Sequence, residues 1–197
     1  LADMTRHREA VERVPSQACV AADLPFGSSQ SSKEQAFDNA AALMQASGVQ
    51  AVKLEGGEAM AETVAFLSER AIPVIGHIGL KPQHMHQMGG YVRQGRDAAS
   101  REALFTEATA LAQAGAFALV LEGMNPEAAA AITRAVAIPT IGIGAGPDCD
   151  GAIVVTEDMA GFHEATPPFV RRFAETGRAL ETAASAYAEA VLTRQFP

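Results

Sequence analysis

The chain has 197 residues, 48% of them hydrophobic, and 15 basic against 23 acidic side chains give it a formal net charge of −8. That length suits one sizeable core and is short for two, so 1–197 is read as a single domain. No apolar run approaches the ~20 residues of a membrane span, no leader pattern opens the chain and no basic stripe offers itself to nucleic acid. The reading is a soluble, cytoplasmic protein acting on small molecules.

In chain order, helical and strand patterns alternate. Leu1, Met4, Ala10, Val11 and Val14 fall on roughly one face of a helix over 1–14. Leu1 rather than Met stands first, which gives the expectation of a piece of a longer protein. Ala18–Asp23 reads as a strand, followed by the loop Leu24-Pro25-Phe26-Gly27-Ser28. Ser31 and Ser32 ahead of Glu34 and Gln35 have capping-box spacing for a helix to Ser47, stopped by Gly48. Strand Ala51–Glu55, Gly56-Gly57 and a helix over 58–70 come next. Pro73 introduces strand Val74–His77, and a loop rich in Gly, His and Met spans Leu80 to Asp97.

Ser100 can cap the following helix, which Gly115 closes. Strand Ala118–Glu122 leads to Asn125-Pro126, a cap with proline at the first helical position, for a helix ending near Ala137. Pro139 introduces strand Thr140–Ile143; strand Ala152–Thr156 follows, and Pro167-Pro168 opens a last helix running close to Pro197. Six strands alternate with helices through connections too long for hairpins, so right-handed parallel crossovers are expected. An open doubly wound sheet and an incomplete barrel, two units short of eight, both satisfy that count.

Three of the apolar runs end on a carboxylate: Asp23, Glu55 and Glu122. Loops at the carboxyl ends of parallel strands converge on one mouth, so the three acids are expected in one pocket. Lys53 and Glu55, two apart on a strand, share a face and put an amine and a carboxylate within reach of one ligand; a buried salt bridge is the alternative. A lone acid at a strand end can equally be a loop cap. Carboxylates with open water positions suit Mg²⁺, and a metal chelated by a 2-oxo acid favours loss of a proton from the neighbouring carbon. His77, ending a strand, can polarise a substrate oxygen as a neutral donor. His84 and His86 have the spacing of a metal pair but no third Cys or His nearby, so no zinc site is expected there. Gly142 to Gly146 reads either as a backbone approach to an anion or as a tight turn walling the pocket. Cys19 and Cys149 are lone cysteines, which fits a reduced compartment and leaves a disulfide between them open.

Asp23-Leu24-Pro25-Phe26-Gly27, Val52-Lys53-Leu54-Glu55-Gly56-Gly57, Gly76-His77-Ile78-Gly79-Leu80 with Pro82-Gln83, Gly89-Gly90-Tyr91 with Gln94-Gly95, and 138–146 together closely resemble the ketopantoate hydroxymethyltransferase family. The resemblance covers essentially the whole chain in order. It implies a (β/α)₈ TIM barrel of the phosphoenolpyruvate mutase and isocitrate lyase superfamily, with only six of the eight strands in this chain. It implies transfer of a hydroxymethyl group from 5,10-methylenetetrahydrofolate to 3-methyl-2-oxobutanoate, giving 2-dehydropantoate for pantothenate and coenzyme A. By the same resemblance Asp23 and Glu55 look like the Mg²⁺ carboxylates, Lys53 and His77 like substrate contacts, Glu122 like the catalytic acid/base, and the protein like a homo-oligomer.

The sequence departs from that pattern. No Gly-Asp-Ser segment of the family's second strand occurs, Gly123-Met124-Asn125 stands where Cys-Val-Pro is common, Lys81 replaces Thr, and Tyr91-Val92-Arg93-Gln94 reorders the usual basic-then-Val sequence. Two other readings follow: a superfamily lyase or mutase acting on another 2-oxo acid, and a truncated, non-catalytic partner subunit.

Overall fold

The computed structural model describes residues 1–12 and 17–196, in two compact units, Leu1–Ala152 and Ile153–Pro197. The first unit opens with helix α1 (Ala2–Glu12); the expected end of that helix, at Val14, lies outside the described residues. Strands β1 (Ala21–Asp23), β2 (Ala51–Glu55), β3 (Val74–Gly79), β4 (Ala118–Glu122), β5 (Thr140–Ile143) and β6 (Gly151–Ala152) form one sheet in the order of the sequence. All five pairings are parallel.

Sequential order decides between the two architectures left open above. A doubly wound sheet reverses its strand order at a switch point and carries helices on both faces. Here no reversal occurs, and the helices cover one face. Ala22, Val52, Leu54, Val74, Ile78, Leu119 and Leu121 point to that face and pack in one cluster with side chains of helices α2 (Lys33–Ser47), α3 (Ala61–Ser68), α5 (Ala98–Gln113) and α6 (Pro126–Ala135). Those side chains recur at helical spacing: Ala36, Ala40 and Leu43; Val64 and Leu67; Leu104, Ala108 and Leu111; Ala129 and Ile132. Each fully buried Leu, Val or Ile contributes about 1.5–3 kcal/mol. The arrangement is six consecutive strands of the barrel type.

Local signals explain most boundaries. Ser32 accepts a hydrogen bond from Gln35 N–H at the start of α2, and Gly48, with φ of 64°, ends it in the left-handed conformation. Asn125 accepts from Ala128 N–H, and Pro126 takes the first position of α6, which stops at Ala135, two residues short of expectation. Residues 58–60 form a 3₁₀ turn ahead of α3, and α3 ends at Ser68 rather than Arg70. The loop after β3 contains a second 3₁₀ turn, Pro82–His84, and the short helix α4 (Met85–Met88).

Three expectations are corrected. Asp97, not Ser100, caps α5: Asp97 accepts from Ser100 N–H, and the Ser100 side chain answers to the Asp97 backbone in a reciprocal capping box. Strand β6 is two residues long, Gly151–Ala152, and Thr156 begins helix α7 (Thr156–Ala160), so of the expected strand 152–156 only Ala152 is strand. The last helix, α8 (Thr176–Leu192), starts well after Pro167-Pro168, which form a turn closed by Val170 N–H to the Pro167 carbonyl. In the second unit, Phe173 N–H bonds the Met159 carbonyl, and the Arg172 guanidinium gathers the His163 and Glu164 carbonyls. Helix α8 buries no residue; Leu180, Tyr187 and Leu192 are exposed. Cys19 and Cys149 are both free thiols, and burial pushes the Cys149 thiol up.

Candidate active site

The face of the sheet turned away from the helices carries the charge. Register places Asp23 beside Lys53, Glu55 beside His77, and Glu122 beside Gly79. Lys53 and Glu55 are two apart on β2, and His77 and Gly79 are two apart on β3. All five expected residues therefore share this one face, toward its carboxyl end.

Their contacts form a chain across four neighbouring strands, β1 to β4. The Lys53 ammonium lies 2.5 Å from Asp23 Oδ1 and 3.2 Å from His77 Nδ1. An ammonium only donates, so Nδ1 accepts and the imidazole proton sits on Nε2. His77 Nε2 is 3.2 Å from Glu122 Oε2 but not aligned for a hydrogen bond, and it is buried without a partner. His77 and Glu55 are only 2% and 4% exposed, the least accessible groups of the five. A carboxyl buried to that degree needs donors. Glu55 Oε2 accepts from the Gln83 backbone N–H at 2.9 Å and has His84 Nδ1 at 3.6 Å, while Oε1 stands 4.0 Å from His77 Nδ1.

The pairing of β3 with β4 continues past the strand end, since Leu80 N–H bonds the Glu122 carbonyl at 2.7 Å. Gly79 makes that approach possible. Its φ is +90°, and a Cβ there would stand 2.2 Å from the Glu122 carbonyl oxygen. The long loop returns to the same place: Gln94 N–H bonds the Gly123 carbonyl, and Asn125 N–H bonds the Gln94 carbonyl.

Three carboxylates against one ammonium leave this face with excess negative charge. Asp23 Oδ1 is inaccessible to solvent and accepts no aligned hydrogen bond, its contact with Lys53 being ionic. Among the described residues no three or more His, Cys, Asp or Glu side chains converge as a metal cluster. Mg²⁺ does not require one, because it takes one or two protein carboxylates and completes its shell with water and substrate oxygens. The carboxylate oxygens of Asp23 and Glu55 are the hard oxygen donors that suit such an ion.

A model of the ketopantoate hydroxymethyltransferase family matches residues 1–197. The chain belongs to that family. Curated relatives named 3-methyl-2-oxobutanoate hydroxymethyltransferase agree. That of Rhodospirillum rubrum is 53% identical over 195 residues, 98% of this chain and 70% of the relative. Those of Erythrobacter litoralis (50% over 194 residues) and Paracoccus denitrificans (52% over 195 residues) are covered to 67% and 71% of their lengths. The chain is thus of a family of transferase enzymes and spans about two thirds to seven tenths of these relatives. Two solved structures from Burkholderia cenocepacia J2315 share the fold at 19% identity and cover 98% of this chain. One, assigned as a lyase/mutase, has a TM-score of 0.52 and is covered to 67% of its length. The other, assigned as a phosphonomutase, has a TM-score of 0.53 and is covered to 75%.

Against the family pattern, Lys81 proves to be turned toward an acid of α5: its ammonium lies 3.7 Å from Glu107. Met124, in the altered segment after Glu122, is fully buried in the core, while Gly123 N–H bonds the Ile143 carbonyl. Of the Gly142–Gly146 segment, Gly142 and Ile143 end β5, and 144–146 follow as a bend with no helix starting from it. Two residues of the site went unassigned in the sequence. Gln83 lies inside a quoted motif, but an amide carries no signature of acid–base chemistry. His84 was weighed only as a partner of His86, whereas the fold brings it to Glu55.

Proposed function

We propose that this chain transfers a hydroxymethyl group from 5,10-methylenetetrahydrofolate to 3-methyl-2-oxobutanoate, giving 2-dehydropantoate toward pantothenate and coenzyme A. Family membership supports the reaction class. The single observation that carries the site assignment is the placing of Asp23, Lys53, Glu55, His77 and Glu122 on one sheet face by strand register.

Asp23 and Glu55 hold Mg²⁺, directly or through water, and the bound ion supplies a Lewis acid that offsets the negative charge of the face. Lys53 contacts the carboxylate or oxo group of the substrate, its ammonium being poised between Asp23 and His77. His77, with its proton on the buried and unpartnered Nε2, offers a donor to a substrate oxygen. Glu122, whose Oε2 lies 3.2 Å from His77 Nε2, takes the proton from C3. The carbon so freed bonds to the one-carbon unit of the folate, whose two C–N bonds break; water adds the product hydroxyl to that carbon, and tetrahydrofolate leaves with its nitrogens protonated. Self-association belongs to the same reading, supported by the unpaired outer edges of β1 and β6 among the described residues. So does a cytoplasmic setting, supported by the two free thiols; among the described residues no helix is long and apolar enough to cross a membrane.

The test is product formation from both substrates with Mg²⁺, followed by mass spectrometry. Turnover by the unmodified chain that falls on the order of a hundredfold in Asp23→Ala and in Glu55→Ala is the expected result. A folded chain that makes no product, or variants with undiminished turnover, would contradict the proposal.

A further inference from the structure

Gln83 uses three of its polar groups to join the ends of neighbouring strands. Its backbone N–H donates to Glu55 Oε2 at 2.9 Å, after β2. Its side-chain Nε2 donates to the Leu24 carbonyl at 3.0 Å, one residue beyond Asp23 on β1. Its Oε1 accepts from Gln30 Nε2 at 3.1 Å, in the loop that leads from β1 to α2. Gln83 itself stands in the 3₁₀ turn after β3. One residue therefore connects the carboxyl ends of β1, β2 and β3.

We infer that Gln83 is a positioning residue for Asp23 and Glu55, acting through the Leu24 carbonyl and its own N–H. The geometry makes a specific division of labour in Glu55. Oε2 is committed to the Gln83 N–H, which leaves Oε1 as the oxygen free to meet a ligand on the charged face. The side chain cannot touch Oε2 while it holds Leu24; what it does is fix the backbone whose N–H makes that contact. Removing the side chain leaves the N–H in place chemically but frees the turn to move. A carboxylate that is mostly buried then loses its one aligned donor, and its orientation toward a cation loosens. Groups that orient a ligating carboxylate in this way typically govern metal affinity by 10–100-fold.

This inference rests on the proposed role of Asp23 and Glu55, and its test separates the two. Amide hydrogen exchange at position 83 is followed by NMR in the full chain, in Gln83→Ala and in Gln30→Ala, together with Mg²⁺ titration by calorimetry in the presence of 3-methyl-2-oxobutanoate. The expected result is a residue-83 amide protected in the unmodified chain and exchanging at least about tenfold faster in Gln83→Ala, with Mg²⁺ binding weakened by about tenfold or more. Gln30→Ala, which removes the outer contact to Gln83 together with the bonds Gln30 Oε1 accepts from Gly27 and Ser29 N–H, shifts both in the same direction by less. A purely structural role would lower the melting temperature of Gln83→Ala while leaving the affinity of the folded variant unchanged. That outcome, or a position-83 amide equally protected with and without the side chain, overturns the inference. If the unmodified chain binds no Mg²⁺, the metal assignment of Asp23 and Glu55 fails, and the amide protection alone decides whether Gln83 positions Glu55.

Discussion

The two faces of the central sheet are made by the same strands and could hardly differ more. On one, Val52, Leu54, Leu119 and Leu121 are inaccessible and pack against helices. On the other, Asp23, Lys53, Glu55, His77 and Glu122 line up in contact or register with one another. Alternation along a strand is the cause: Leu54 points into the helical layer and its neighbours Lys53 and Glu55 point away from it. The difference teaches where stability and chemistry are kept in this fold. Burial of apolar area holds the sheet, while the polar face retains buried atoms without hydrogen-bond partners, Asp23 Oδ1 and His77 Nε2 among them. Buried polar groups without aligned hydrogen bonds cost free energy, so the polar face carries a cost that the apolar face does not.

That contrast can be broken at either face. The largest effect is expected at Glu122→Gln, which keeps the shape of the side chain and removes its base. Turnover should fall by about 10²–10⁴ with little change in unfolding midpoint. On the opposite face, Leu119→Ala should do the reverse. Truncating this fully buried side chain should cost about 2–5 kcal/mol in denaturant unfolding, with turnover per folded molecule retained. A smaller, pH-selective effect is expected away from both, at the entry to β5. Thr140 N–H and Oγ1–H donate to Asp150 Oδ2 at 2.8 and 3.0 Å, which holds the Asp150 carboxyl below the usual carboxylate range. Stabilisation by a group lowered in the folded state is complete above the ordinary carboxylate pKa of about 3.9 and is lost as pH falls through the folded value. Asp150→Asn should therefore flatten the acid limb of a stability–pH profile below about pH 4 and leave its alkaline side unchanged.

Much of this was legible in the sequence where a short apolar run is closed by a charged residue. β2 and β4 were placed to the residue because Glu55 and Glu122 end their runs, and β5 because Pro139 precedes it and Gly144 follows. The shared face of Lys53 and Glu55 follows from spacing alone. Ile153-Val154-Val155 misled because its β-branched composition is that of a strand, yet these side chains are exposed and only Gly151 and Ala152 find a partner in β5. Ser100 misled because it is a competent cap; Asp97, three residues earlier, adopts the extended backbone a cap needs and wins. Gln83 was invisible as a site residue for a different reason. Its contact with Glu55 is made by a backbone N–H, which every residue but proline possesses, and only the fold says where it points.

The most direct measurement is exchange of the C3 proton of 3-methyl-2-oxobutanoate in D₂O, followed by NMR with and without Mg²⁺. It isolates the proton transfer assigned to the charged face and needs no folate. The account predicts Mg²⁺-dependent exchange by the unmodified chain, its loss in Glu122→Gln, and its retention per folded molecule in Leu119→Ala. Exchange that persists undiminished in Glu122→Gln, or that is absent from the folded unmodified chain, would contradict it.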